Sequence, residues 1–269
     1  MSSEKDFEFT KENIDIYLKA VAKEYRKLGG KAMPADVILI GGASILINYG
    51  FRGATTDVDA LIYANSAMKD AINHVGDQYE LPNGWLNADF MKTSSYSPRL
   101  WEHAVHYRTY SNVLTIRTIS AEYLIAMKLE SGRRYKKDMS DILGILQEHA
   151  AQNSPITLAQ IKKAYGDLYG AWTSLSERLR VFIEDAMADG DYARQYQEIA
   201  AEEEQAHTTL LHFQEEYPGV TTTDNVNDVL SVLLQKQKPS IREQLEQAAQ
   251  ERKIAPEKKE PSRKEQPER

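Results

Sequence analysis

An aspartate pair inside an apolar run is the feature that most constrains how this chain folds. Residues 38–62 read ILIGGASILINYGFRGATTDVDALI, with Asp57 and Asp59 set among Val58, Ala60, Leu61 and Ile62. An unpaired carboxylate in apolar surroundings is costly, so the pair needs a physical reason. In a strand, residues i and i+2 share a face, so both carboxylates project together while Val58 packs the other way. Parallel carboxylates repel. A shared hard cation removes that repulsion, and Mg²⁺ favours one or two carboxylates completed by phosphates and water. Upstream, Asp36-Val37-Ile38-Leu39-Ile40 reads as a short buried strand that ends at Gly41-Gly42 and turns into a helix over residues 43–49. Glycines there offer open backbone N–H groups and the positive end of a helix dipole to a phosphate. The order of strand, glycine pair, helix, a turn with Arg52 and Thr56, then a strand with Asp57 and Asp59 therefore predicts a site where metal and polyphosphate meet. That both aspartates merely brace a turn stays open at this point. A second such pair, Asp189-Gly190-Asp191, has no strand around it and reads as a turn between helices. The dinucleotide fingerprint G-x-G-x-x-G does not occur.

Composition narrows the chemistry. The 269 residues carry a net charge of −7, which argues against coating nucleic acid through bulk electrostatics. One local basic cluster, Arg133, Arg134, Lys136 and Lys137 around Tyr135, reads either as an RNA contact or as a solvated helix start. Zero cysteines exclude disulfides and thiol catalysis and leave oxygen or histidine as metal ligands. His103 and His106 read as a surface pair, and Glu202-Glu203-Glu204 as a solvated face. The lack of an apolar run of membrane-spanning length, with the polar start MSSEKDFEF, predicts a cytoplasmic protein without a membrane partner.

Periodicity predicts a helix over 10–28 behind Thr10, a strand over 57–63, a helix from Asn65 to about residue 75, and a strand over 112–118. Further helices follow over 121–131, capped by Ser120 and ended by Gly132, and over about 136–149. Residues 80–111 are turn-rich and receive no element. The expected class is α+β: a small mixed sheet flanked by helices in a domain over 1–150, an all-α region over 151–236, and a charged, largely disordered tail over 237–269 with one frayed helix over 240–253.

Gly41-Gly42 followed by Arg52, Thr56, Asp57 and Asp59 resembles the first motif of the nucleotidyltransferase superfamily of DNA polymerase β type. More narrowly, the chain is similar to bacterial families such as DUF6036, grouped near the AbiEii toxin nucleotidyltransferases of toxin–antitoxin and phage-defence systems. Trp85-Leu86-Asn87 resembles a short element of that group. ISAEYLIAMKLESGRRYKKDMSDI, residues 119–142, resembles its helical pair of a lysine, arginines and Lys-Asp-x-x-Asp. The resemblance spans roughly residues 10–150. It implies a nucleotidyltransferase-type sheet, Mg²⁺ or Mn²⁺ on Asp57 and Asp59, and an NTP substrate. It further implies phosphates cradled by Gly41, Gly42, Ser44, Arg52 and Thr56 and held by Lys128, with Asp138 catalytic or positioning and Asp141 beside it. The acceptor it implies is a tRNA 3′ end or a protein hydroxyl, with a cognate antitoxin as a further partner.

Lys128 follows Leu124, Ile125 and Met127 on an apolar side and needs a counter-charge. A phosphate or an ion pair with Asp138 or Asp141 would supply it, and both remain open. Such enzymes usually carry a third carboxylate on a later strand. Residues 112–118 hold none, with Thr115 where one is sought, and Asp89 is the substitute. Two other readings stand beside the enzyme: a catalytically silent binding module, and an interaction protein built on the helices of 157–235.

Overall fold

The computed structural model describes residues 7–222 and 225–237. The first helix, α1 (Lys11–Tyr25), starts at Thr10, whose hydroxyl accepts from the Asn13 N–H at 3.4 Å while the Asn13 side chain accepts from the Thr10 N–H at 2.8 Å. Such reciprocal caps satisfy donors that the first turn leaves orphaned. Then come β1 (Ala35–Leu39), α2 (Gly41–Asn48), β2 (Val58–Tyr63), α3 (Ala67–Tyr79), β3 (Leu86–Asn87), β4 (Ala104–Tyr110) and β5 (Leu114–Ile119). The helices α4 (Ala121–Ser131), α5 (Asp138–Ala151), α6 (Leu158–Tyr169), α7 (Glu177–Asp189), α8 (Tyr192–Glu216) and α9 (Val226–Gln237) complete the described chain.

The strands form one mixed sheet in the order β3-β2-β1-β5-β4. β1 is antiparallel to β2 and parallel to β5. β3 joins β2 in parallel, and β4 closes a hairpin with β5. The class is α+β, as expected. Side chains alternate across β1, so Ala35, Val37 and Leu39 join one core with Leu18, Val21, Met68 and Ile72, and Ile38 joins a second with Leu61, Ile119, Leu124 and Ile142. Burying each large apolar side chain contributes about 1.5–3 kcal/mol, which explains why the apolar central strand anchors both layers.

β4 falls in the stretch that gave no periodic signal, because an edge strand with Val105, His106, Arg108 and Thr109 exposed has no buried face to alternate. Polar ties hold it instead. Tyr107 and Tyr110 donate to Asp15 of α1 at 3.2 and 2.6 Å, beside an Arg108–Asp15 ion pair. The two histidines are not a helical pair: His103 stacks on Tyr123 with centroids 3.6 Å apart, and His106 lies on β4 against Thr109.

The chain divides into two compact units, residues 1–207 and 208–269. The expected boundary near residue 150 lies inside the first unit, because α6 packs on α4 and its Ile161, Ala164 and Tyr165 share the α4–α5 core. In the second unit the end of α8 and α9 bury Leu210, Val226 and Leu230. The helix expected over 240–253 and nearly all of the tail lie outside the described residues. Among the described residues no helix is long and apolar enough to cross a membrane.

Glu203 corrects the expected solvated face. Its carboxylate is buried and accepts from the N–H groups of Met139 and Ser140 at 2.8 and 3.3 Å and from the Ser140 hydroxyl at 2.5 Å, capping α5 from α8. Burial pushes this carboxyl up to about 7 against the pull of those three donors. An acid that holds its proton more tightly when folded loses folded-state stability as pH rises from its ordinary value of 4.5 towards 7, here by at most about 3 kcal/mol. Glu203→Gln should flatten that dependence in urea unfolding measured from pH 5 to 8; equal slopes in both proteins would refute it.

Candidate functional site

The site begins where β1 hands over to α2. Ile40 is extended and supplies no side-chain cap, so the first N–H groups of α2 are not capped by it. Gly41 has φ +54°, the left-handed region, with nothing within 4 Å of the position a Cβ would take. At Gly42 a Cβ would sit 2.7 Å from the Thr55 hydroxyl and 2.8 Å from Nη2 of Arg52. The glycine pair is thus open at its first member and roofed at its second by Arg52 and Thr55. Ser44 lies beneath: fully buried, its hydroxyl accepts from the Ile119 N–H at 3.3 Å and ties α2 to β5. Thr56 is exposed in the turn.

The Ile40 N–H donates to the Asp59 carbonyl at 2.9 Å, which fixes the aspartate strand beside the glycine turn. Asp57, just before β2, is exposed and accepts from the Thr55 hydroxyl at 3.5 Å; Asp59 is half-buried. Burial and the neighbouring Asp57 charge push the Asp59 carboxyl up to about 6; Arg133 pulls it down, Asp89 raises it, and Lys128 lowers it. Two neighbouring hard oxygen donors fit a divalent cation. Among the described residues no group of three or more His, Asp or Glu is placed to hold a metal, so phosphates and water would complete its shell.

The strand read for a third carboxylate is not the neighbour of the aspartates. Residues 114–119 form β5, separated from β2 by β1, whereas the strand beside the aspartates is β3, with Asn87 paired to Asp59. The Asn87 side chain accepts from the Asp89 N–H at 2.8 Å, and Asp89 itself is exposed and paired with Lys92 at 2.6 Å. A two-residue strand carries no periodicity, so only Trp85-Leu86-Asn87 as a motif marked the place.

A chain of buried charge joins the turn after α4 to the glycine turn. Gly132 ends α4 at φ +53°, a short turn follows, and α5 starts at Asp138. Lys128 is 8% exposed and places its ammonium 2.8 Å from both Asp138 Oδ1 and Asp141 Oδ2. Two of its three N–H groups are therefore committed to the aspartates, the ion-pair alternative left open above. Arg52 completes the other end with Nη1 2.6 Å from Asp141 Oδ2. Arg133 donates to Asp138 through Nε at 2.9 Å, Nη2 at 3.1 Å and its backbone N–H at 3.2 Å. Despite burial, which alone would raise it, Lys128 and Arg133 hold the Asp138 carboxyl well below the usual carboxylate range. Burial works against the Lys128 charge as well, but Asp138 and Asp141 outweigh it and keep the ammonium charged.

The basic cluster read as an RNA contact is thereby split. Arg133 turns inward onto Asp138, while Lys136 and Lys137 are exposed in the same turn as Arg134. Sequence reasoning missed Thr55, Asn87 as the strand partner of Asp59, and Glu203. A family model for a nucleotidyltransferase of unknown function, DUF6036, matches residues 17–168. No curated protein and no solved structure matches the chain.

Removing one member of a buried ion network strands the others. Lys128→Ala leaves Asp138 and Asp141 short of their shared cation and should cost about 3–5 kcal/mol in urea unfolding. A loss under about 1 kcal/mol would show that Arg52 and Arg133 suffice to neutralise both carboxylates.

Proposed function

Because the chain belongs to the DUF6036 family of nucleotidyltransferases, we propose that it moves a nucleoside monophosphate from an NTP to an acceptor hydroxyl. The acceptor oxygen bonds to the α-phosphorus, the bond to the bridging oxygen breaks, pyrophosphate leaves with that electron pair, and the hydroxyl proton passes to solvent. The observation that carries this reading is the 2.9 Å bond from the Ile40 N–H to the Asp59 carbonyl, which sets an open glycine turn beside Asp59 of β2 and Asp57 just before it. Asp57 and Asp59 hold Mg²⁺ or Mn²⁺, which when bound neutralises phosphate charge and favours in-line displacement. The N–H groups at Gly41 and Gly42 donate to the phosphate oxygens. Arg52, roofing Gly42, and Lys128, through its remaining N–H, offset charge on the leaving pyrophosphate. Asp138 and Asp141 position these cations.

A cavity of about 700 Å³ lies between α3 and β3, on the α3 face of the sheet, lined among others by Asn65, Lys69, Asn73 and Asn87. The acceptor is a tRNA 3′ end or a hydroxyl on a protein, in a cytoplasmic toxin–antitoxin or phage-defence setting with a cognate antitoxin.

A second reading draws on two specific observations: the strand partner of Asp59 is an amide, Asn87, and not a carboxylate, and Lys128 is already paired. Both suit a catalytically silent module that binds nucleotide without transferring it.

Incubation with each α-labelled NTP, Mg²⁺, total tRNA and cell protein separates the two. Transfer by wild type, lost by at least about 10²-fold in Asp57→Ala and Asp59→Ala, supports the enzyme. Mg²⁺-dependent NTP binding without transfer supports the silent module, and transfer unchanged in Asp57→Ala sinks the assignment of the site.

A further inference from the structure

Arg133 holds a position that neutralising Asp138 alone does not explain. Its guanidinium is planar and carries five N–H donors, of which Nε and Nη2 each give one to Asp138. Both N–H groups of Nη1 and one of Nη2 have no protein acceptor among the described residues. Its side chain is 39% exposed, whereas that of the Asp138 it grips is fully buried. A buried carboxylate thus clamps an arginine whose outer edge faces solvent. Lys128 already pairs with Asp138, so Arg133 brings a further positive charge: Arg52, Lys128 and Arg133 face only Asp138 and Asp141 in this network. The chain of pairs runs from Arg133 through Asp138, Lys128 and Asp141 to Arg52, which roofs the glycine turn that the Ile40 N–H ties to Asp59. A fork fixed on one side and free on the other matches the oxygens of a phosphate, a geometry that lysine cannot reproduce.

We propose that Arg133 contacts the α-phosphate of the bound nucleotide and offsets the charge that grows on its non-bridging oxygens as the acceptor oxygen attacks. This rests on the nucleotidyl-transfer reading above. Arg133 is then a catalytic residue, with Asp138 as the positioning residue that aims it. The sequence left Arg133 with its neighbours as an RNA contact or a solvated helix start; the clamp instead ties it to Asp138.

The test needs no acceptor at its first stage. Binding of an α,β-methylene NTP and of inorganic pyrophosphate is measured by calorimetry with Mg²⁺ for wild type, Arg133→Ala and Arg133→Lys. The pyrophosphate has no α-phosphate. The expected result is roughly tenfold weaker NTP binding in both variants, with pyrophosphate binding unchanged. Addition of guanidinium ion to Arg133→Ala should restore part of the NTP affinity. Where wild type transfers label, the variants should be slower by about 10²–10³-fold. Equal losses for both ligands, or full NTP affinity in Arg133→Lys, would overturn the α-phosphate contact and assign Arg133 to the structural network. Thermal unfolding of Arg133→Lys, which keeps a charge on Asp138, checks that the fold survives. Wild type that binds neither ligand would instead remove the nucleotidyl-transfer reading, and this proposal with it.

Discussion

The ammonium of Lys128, shared between Asp138 and Asp141, is the contact on which the site depends. Taking charges out of water costs several kcal/mol per ion, and only short, well-placed opposite charges offset that. The α4–α5 turn meets the condition by setting Lys128 in the last turn of α4 against two aspartates in the first turn of α5, where the helix dipole also favours negative charge. From this centre the network extends both ways. Asp141 fixes Arg52 over the glycine turn, and Asp138 fixes Arg133 at the other end. Glu203 caps the same α5 terminus from α8, so a helix far along the chain steadies the pair.

Much of this was legible because it is local. The apolar run at residues 36–40, the glycine pair and the alternation around Asp57 and Asp59 each fix backbone geometry within a few residues, and β1, α2 and β2 follow. The three-residue spacing of Asp138 and Asp141 put both on one face of α5, where Lys128 meets them. What was not legible depends on distant partners. Glu203 looks like any member of an acidic run until α8 is laid against α5. Arg133 looks like its basic neighbours until the turn after Gly132 bends it onto Asp138. β4 keeps its place by pairing with β5 and by Asp15 on α1, neither of which leaves a period in residues 104–110.

The sheet order explains why the search for a third carboxylate failed. A reader of the sequence counts strands in chain order, and the next clear one after the aspartates was the stretch at 112–118. The chain instead inserts the two-residue β3 on the outer side of β2 and sends β5 to the far side of β1. Position 87, not position 115, is the neighbour of Asp59.

That neighbour being an amide has an electrostatic consequence. Adjacent strands lie about 5 Å apart, and two unit charges at that distance interact by about 3 kcal/mol at an effective dielectric of 20. A carboxylate at position 87 would thus push the Asp59 carboxyl further up. Asp59 is already pushed up to about 6 by burial and by Asp57, so a third acid would leave it protonated at neutral pH unless a second cation were bound. Asn87 avoids that. It leaves Asp59 ionised near neutrality with Asp57 beside it, a donor set that would suit one divalent ion together with the positive charge of Arg52, Lys128 and Arg133.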